Sequence, residues 1–129
     1  MNASPAYDPE NVFAKILRGE IPNSTVAETE HSLAFHDIAP KARVHVLVIP
    51  KGAYVDAADF GANASEAELA DFQRLVARVA AEAGVAPSAG GEGFRLIANT
   101  GVHGVQEVPH YHIHVIGGEQ LGRMLPKAD

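Results

Sequence analysis

Three of the seven histidines occupy alternate positions near the end of the chain, at His110, His112 and His114. Successive side chains of an extended strand point to opposite faces, so these three imidazoles would share one face. Neighbours on the same face of a strand lie roughly 6–7 Å apart. The spacing therefore predicts a row of imidazoles along one wall of a cleft, with Tyr111, Ile113 and Val115 directed toward a core.

Three interpretations of this row are open from the spacing alone. The histidines could be exposed side chains without a function. They could bind a metal such as zinc, as histidine-rich tracts commonly do, with His45 or His103 completing the ligand set. The third interpretation is nucleophilic catalysis, in which one imidazole attacks the substrate and two others support it.

The nucleophilic interpretation rests on the acid–base chemistry of imidazole. Neutral imidazole is a competent nucleophile near neutral pH. Its attack on phosphorus gives a phosphorus–nitrogen bond that water can cleave in a second step. Neighbouring imidazoles can donate protons to phosphate oxygens or to the leaving group. A row of three histidines could therefore carry out a phosphoryl or nucleotidyl transfer.

Three further polar residues are candidates for the same site. His45 interrupts the apolar run 44–49, where it is either a structural histidine or one that positions the row. Asn99 leads into a loop that contains glycine, and it is either a turn residue or an amide that contacts phosphate. Asp37 is either a turn residue or an acceptor for ribose hydroxyls, a role that carboxylates have in dinucleotide sites.

Hydrophobic periodicity predicts the elements that must position these residues. Residues 11–18 have the spacing of a short helix. Residues 65–83 form one apolar stripe that begins with a capping-box pattern, which predicts a long helix. Five strands are predicted, at residues 25–28, 33–37, 44–49, 94–99 and 108–116.

This order of elements favours one α+β domain over residues 1–129. We expect a five-stranded antiparallel sheet with one long and one short helix. Residues 1–10 are expected to form a flexible arm, and residues 119–129 a tail without a regular element.

The composition limits what the chain can do. It has 129 residues, no cysteine and a formal net charge of −6. Without cysteine, disulfides and thiolate metal sites are impossible. The acidic balance argues against a nucleic-acid partner, whose binding surface on a protein is normally basic. There is neither an apolar run long enough to span a bilayer nor a signal-peptide pattern, so we expect no membrane partner and a cytoplasmic location.

The segment His-Tyr-His-Ile-His-Val-Ile at residues 110–116 resembles the signature of the histidine triad nucleotide-binding family. That signature consists of three histidines alternating with hydrophobic residues. Other blocks that resemble the family, in its bacterial Hint-like branch, are 12–16, 19–22, 34–40, 45–50, 106–108 and 117–118. The resemblance extends over residues 11–125.

The resemblance implies an antiparallel sheet with two helices, usually in a homodimer whose sheet continues across both subunits. It also implies hydrolysis of nucleoside 5′-phosphoramidates and related AMP conjugates through a nucleotidyl-histidine, without a metal or another cofactor. His112 matches the nucleophile, and His114 matches the group that contacts the phosphate and the leaving group. His110 and His45 match the orienting pair.

The resemblance assigns the nucleotide site as well, and it implies a purine nucleotide, as AMP or GMP conjugates, for the partner. Asn99 and the segment Gln106-Glu107 match phosphate-side positions, and Asp37 matches the ribose acceptor. The purine pocket matches five apolar residues, namely Val12, Phe13, Ile16, Phe35 and Ile38.

The chain departs from the family pattern beside the triad. Val105 stands where many Hint proteins have a second glycine, and a β-branched residue tolerates fewer backbone conformations. Glu107 replaces the serine of the animal branch. Pro109 directly precedes the triad. Because proline cannot donate a ladder hydrogen bond, we expect this end of the strand at a sheet edge or a bulge.

Overall fold

The computed structural model describes residues 6–125 and contains a five-stranded antiparallel sheet. The strands are β1 (Thr25–Glu28), β2 (Ser32–His36), β3 (Val44–Pro50), β4 (Phe94–Ile97) and β5 (Ile113–Gly117). Their spatial order is β1-β2-β3-β5-β4, so β3 and β5 are central while β1 and β4 are edges. The predicted α+β class with a five-stranded antiparallel sheet is confirmed.

Three α-helices occur between residues 6 and 125, whereas the sequence predicts two. They are α1 (Val12–Leu17), α2 (Ala57–Asn63) and α3 (Glu66–Glu82), and α2 is the additional one. The side chain of Asp56 caps α2, and Phe60 is its one buried residue. A short helix with a single buried side chain has no apolar stripe, so hydrophobic periodicity could not reveal it.

Helix α3 covers one face of the sheet and builds the larger core. The predicted capping box is present, because Ser65 and Glu68 each accept the other's backbone N–H. The buried stripe of α3 consists of Phe72, Leu75, Val76, Val79 and Ala80. Each fully buried side chain of the size of valine, leucine or phenylalanine stabilises the fold by about 1.5–3 kcal/mol.

The opposite face of the sheet carries a second, smaller hydrophobic cluster. Its buried members are Phe13, Leu33, Phe35, Leu47 and Ile49, with Ile16 and Leu17 of α1 packed against them. The sheet therefore separates two cores, one under α3 and one under α1. His110, His112 and His114 lie on the α1 side.

The last strand begins at Ile113, later than the sequence predicts. Around Pro109 the chain makes a tight turn, in which the N–H of His110 donates to the carbonyl of Val108 at 2.9 Å. The N–H of the next residue donates to the carbonyl of Tyr54 and not to a strand of the sheet. Proline thus lies ahead of a central strand, and the expectation of a sheet edge or a bulge is wrong.

Side chains still alternate through this irregular segment. Tyr111 lies on the α3 side, where its ring stacks on Phe60 with centroids 5.1 Å apart. His110 and His112 lie on the other side, where their ring centroids are 6.3 and 5.0 Å from that of Phe13. The three histidines share one face as predicted, although only the last of them belongs to β5.

The outer parts of the predicted arm and tail, residues 1–5 and 126–129, lie outside the described residues. The flexibility of the arm stays a prediction, and between residues 7 and 10 the chain contacts the rest of the fold. The hydroxyl of Tyr7 is hydrogen-bonded to His110, and the guanidinium of Arg18 donates to the carbonyl of Pro9 at 2.7 Å. This segment is therefore attached to the body of the fold.

Candidate active site

A cavity of about 570 Å³ opens on the α1 side of the sheet. Its apolar lining includes all five residues predicted for the purine pocket, namely Val12, Phe13, Ile16, Phe35 and Ile38. Its polar lining includes Asp37, His45, Asn99, Glu107, His112 and His114. The volume is typical of small-molecule sites. The fold thus brings most of the predicted site residues together around one space.

The apolar wall is held by the start of α1. Asn11 caps this helix by accepting the N–H of Ala14 at 2.9 Å. Phe13 is buried and meets Phe35 edge-on, with centroids 5.6 Å apart. Ile38, by contrast, is fully exposed at the rim of the cavity. The inner apolar wall therefore includes residues of α1 and β2, and Ile38 in the turn that follows β2 contributes to the rim.

Gln106 is placed differently from the prediction, because its side chain does not line the cavity. Its Nε2 donates to the carbonyls of Val55 at 2.7 Å and Val108 at 3.0 Å. Its Oε1 accepts the N–H of Gly101 at 3.1 Å. The side chain therefore fixes the loop 100–106 from inside, and its neighbour Glu107 reaches the cavity.

The same loop carries two unusual backbone positions. A Cβ at Gly104 would lie 2.4 Å from the carbonyl oxygen of Thr100, so any larger residue would have to displace backbone. Val105 has φ of 56°, in the left-handed region. For a residue with a β-branched side chain, this conformation costs about 1–2 kcal/mol. Val105, the residue that departs from the glycine of the family pattern, therefore has a strained backbone conformation.

Hydrogen bonds fix the proton positions on His45 and His114. The backbone N–H of Lys41 donates to Nδ1 of His45 at 3.0 Å, so the proton of a neutral His45 is on Nε2. That Nε2 lies 2.9 Å from Nδ1 of His114 and donates to it. The proton of a neutral His114 is consequently on its own Nε2. His114 can therefore present an N–H to a ligand in the cavity.

The other two histidines are fixed by carbonyl groups, which can only accept. Nε2 of His110 lies 2.8 Å from the carbonyl oxygen of Pro50 and therefore carries the proton. Nδ1 of His112 lies 2.7 Å from the carbonyl oxygen of His110 and donates to it. In the neutral ring, Nε2 of His112 then has a free lone pair, and His112 lines the cavity. This is the protonation state that a nucleophile needs.

Burial lowers the pKa of all four histidines. It brings the pKa of His110 to about 4, and the same desolvation, aided by the neighbouring His112 and His45, brings that of His114 to about 4. Burial also lowers the pKa of His45 and of His112. For both, the negative charge of Asp37 opposes the shift. The cluster is therefore neutral near pH 7.

In the part of the chain that the structure describes, one group of side chains has the geometry to hold a metal ion. Ligand atoms of Asp37, His45 and His114 all lie within 4.8 Å of one another, and nitrogen and oxygen donors suit zinc. The nitrogens that face each other in His45 and His114 are already joined by a hydrogen bond, which a metal would displace. His103, the other ligand considered, is exposed on its loop and outside this group.

Two contributors to the site are not predicted from the sequence. Lys41 acts on His45 through its backbone N–H, which any residue other than proline supplies. Tyr7 places its hydroxyl 2.6 Å from Nδ1 of His110. A single tyrosine near the start of a chain has no spacing that connects it with a distant motif. Residue types and their spacing could therefore not have indicated either contribution.

A family model described as HIT domain matches residues 18–121. Among curated relatives, a HIT-like protein of Azospirillum brasilense is 59% identical over 121 residues, which are 94% of this chain and 96% of the relative. The purine nucleoside phosphoramidase of Escherichia coli K12 is 40% identical over 116 residues, which are 90% of this chain and 93% of the relative.

Solved structures agree with these relatives. A HIT family hydrolase from Clostridium thermocellum has a TM-score of 0.79 and 38% identity, covering 90% of this chain and 97% of that one. A histidine triad protein from Clostridium difficile has a TM-score of 0.74 and 35% identity, covering 88% of this chain and 95% of that one. Fold and site thus define a histidine triad protein. The chain belongs to the HIT domain family, as its sequence indicates, and its relatives include hydrolases.

Proposed function

We propose that the protein hydrolyses conjugates of purine nucleoside 5′-monophosphates, such as AMP phosphoramidates, through a nucleotidyl-histidine on His112. One observation carries the proposal. His112 and His114 have opposite proton arrangements, one with a free lone pair on Nε2 and the other with an N–H there. Their ring centroids are 5.1 Å apart. One ring can attack while the other protonates the leaving group. Similarity to a purine nucleoside phosphoramidase supports the substrate class.

The reaction proceeds in two displacements. In the first, Nε2 of His112 bonds to the α-phosphorus, the bond from phosphorus to the leaving nitrogen breaks, and that nitrogen receives a proton through His114. The anionic phosphate of the bound substrate raises the pKa of His114, so this ring takes up a second proton from solvent and passes one proton to the leaving nitrogen. In the second, water attacks the nucleotidyl-histidine, its proton passes to His114, and the nucleoside monophosphate and free His112 are released.

The other residues of the cavity bind the nucleotide. The base lies against the apolar wall formed by Phe13 and Phe35, with Ile16 and Ile38 beside it. Asp37 accepts from the ribose hydroxyls, as a carboxylate does in dinucleotide sites. Asn99 and Glu107 line the same cavity, and we assign them to the phosphate side. Gln106 contributes indirectly, because it holds the loop on that side.

The test is a panel of substrates with a common α-phosphate: an AMP phosphoramidate, an aminoacyl-adenylate and a dinucleoside polyphosphate. We expect the phosphoramidate to turn over, also after treatment with a chelator. AMP or GMP should bind at least about tenfold tighter than CMP, because a purine buries more apolar surface. AMP binding without turnover of any substrate would favour a nucleotide-binding or scaffold protein instead. Loss of activity on chelation, with stoichiometric zinc in the purified protein, would favour a metal site.

We also propose a homodimer that covers the β4 edge of the sheet. Strand β4 is an edge on which Phe94 and Leu96 are 38% and 40% exposed. Exposed edge strands with apolar side chains tend to pair with another chain. Light scattering at micromolar concentration should give twice the chain mass of 13.6 kDa, and the substitution Leu96→Glu should shift the mass toward the monomer. A monomer mass for the unmodified protein would contradict the proposal.

Two expectations about the cellular setting stay predictions, namely a cytoplasmic location and the absence of a nucleic-acid partner. Across residues 6–125, none of the helices combines the length and the apolar character that a bilayer span requires.

A further inference from the structure

A tyrosine near the start of the chain contacts the innermost histidine of the cluster. The hydroxyl of Tyr7 lies 2.6 Å from Nδ1 of His110, although the two residues are 103 positions apart. Their rings meet edge-on, with centroids 5.5 Å apart and planes at 69°. His110 has no exposed surface and Tyr7 is half-buried, so this contact lies between the protein interior and its surface.

The direction of this hydrogen bond follows from the other partner of the same ring. The carbonyl oxygen of Pro50 can only accept, so Nε2 of His110 carries the proton. A neutral imidazole has one N–H, which leaves a lone pair on Nδ1. The hydroxyl of Tyr7 therefore donates to Nδ1. Burial keeps the pKa of His110 low, at about 4, so the ring does not take up a second proton near neutral pH.

His110 is joined to the proposed nucleophile through its backbone. Its carbonyl oxygen accepts from Nδ1 of His112 at 2.7 Å, and this bond leaves Nε2 of His112 unprotonated. Tyr7 and Pro50 hold the His110 ring at both nitrogens, and the ring in turn fixes the residue that bears this carbonyl. The chain of contacts thus runs from the N-terminal segment to the nitrogen that would attack phosphorus.

We propose that Tyr7 is a positioning residue for His112, which it serves by locking the ring and the proton arrangement of His110. The inference rests on the proposed function, because it assigns the nucleophilic nitrogen. Without the hydroxyl, Nδ1 of His110 is a buried acceptor with no donor, which is unfavourable. The ring then gains by moving its proton to Nδ1 or by rotating, and either change weakens its bond to Pro50.

The kinetic test compares Tyr7→Phe with the matched control Tyr54→Phe. Tyr54 donates its hydroxyl to Glu68 at 2.8 Å, so the control loses a similar hydrogen bond of the scaffold. In single-turnover experiments, Tyr7→Phe should form the nucleotidyl-histidine about tenfold more slowly, as expected for one misplaced hydrogen-bonding group. Its affinity for AMP should stay within about twofold, because the base wall is untouched. The control should keep the rate of the unmodified protein. Equal rates for both variants would overturn the proposal.

A second readout does not need turnover. Long-range proton–nitrogen NMR spectra of the histidine rings report which nitrogen carries the proton. The unmodified protein should show the Nε2–H form at His110 and the Nδ1–H form at His112, and Tyr7→Phe should change the nitrogen shifts of both rings. Unchanged shifts at both rings would overturn the inference. Changed shifts in a protein that cleaves no substrate would support the positioning role and contradict the proposed function.

Discussion

Replacing His112 with alanine should abolish turnover of an AMP phosphoramidate while AMP binding remains largely intact. Among the four histidines of the cluster, His112 is the one whose ring presents a free nitrogen lone pair to the cavity, and without it neither displacement is available. Loss of a proton donor alone typically costs about 10²–10⁴ in rate, and loss of the nucleophile should cost at least the upper end of that range. The apolar wall, formed by Phe13 and Phe35, stays in place to bind the base.

Turnover rates and AMP titrations of His112→Ala measure the two parts of this prediction. His103→Ala is the matched control, because that histidine is exposed on the loop 100–106 and does not line the cavity. Unmodified protein quenched during turnover without acid should carry a nucleotidyl adduct on His112 by mass spectrometry. An adduct on another residue, or more than a few per cent of activity in His112→Ala, would show that the mechanism is wrong.

Replacing His114 with alanine should have an effect that depends on the leaving group. An alkylamine leaves poorly without a proton, so its AMP conjugate should be cleaved about 10²–10⁴ times more slowly. A phenolate leaves readily, and its AMP ester should be affected much less. Nucleotide affinity should change little, because His112 and the base wall remain.

Rates for a series of AMP conjugates that differ only in the acidity of the leaving group test this prediction. The dependence of the rate on leaving-group acidity should be steeper for His114→Ala than for the unmodified protein. An equal loss across the series would mean that His114 contacts the phosphate without protonating the leaving group.

The residues of the site could be predicted because successive side chains point to opposite faces even where the chain forms no regular strand. His110 and His112 precede β5, yet their side chains still lie opposite Tyr111. The tight turn at Pro109 depends on local backbone geometry, which a hydrophobic pattern cannot predict. The position of the strand start was therefore wrong, while the shared face was right.

Proton positions could not be predicted from residue types. They depend on backbone groups that every residue has, such as the N–H of Lys41 and the carbonyl of Pro50. The inward direction of the Gln106 side chain could not be predicted for the same reason, because its partners are the backbone carbonyls of Val55 and Val108. Only the three-dimensional path of the backbone shows which ring nitrogen is left free.

The sheet that separates the two cores also divides the protein by local stability. The α3 side rests on a helix of 17 residues, whereas the α1 side has a helix of 6 residues over a smaller cluster. Opening of the α1 side therefore exposes less apolar surface and costs less free energy than global unfolding. A ligand that binds on the α1 side raises the free energy needed to open that side, because opening also costs the binding free energy. A bound nucleotide would thus add apolar contacts to the smaller core on the α1 side.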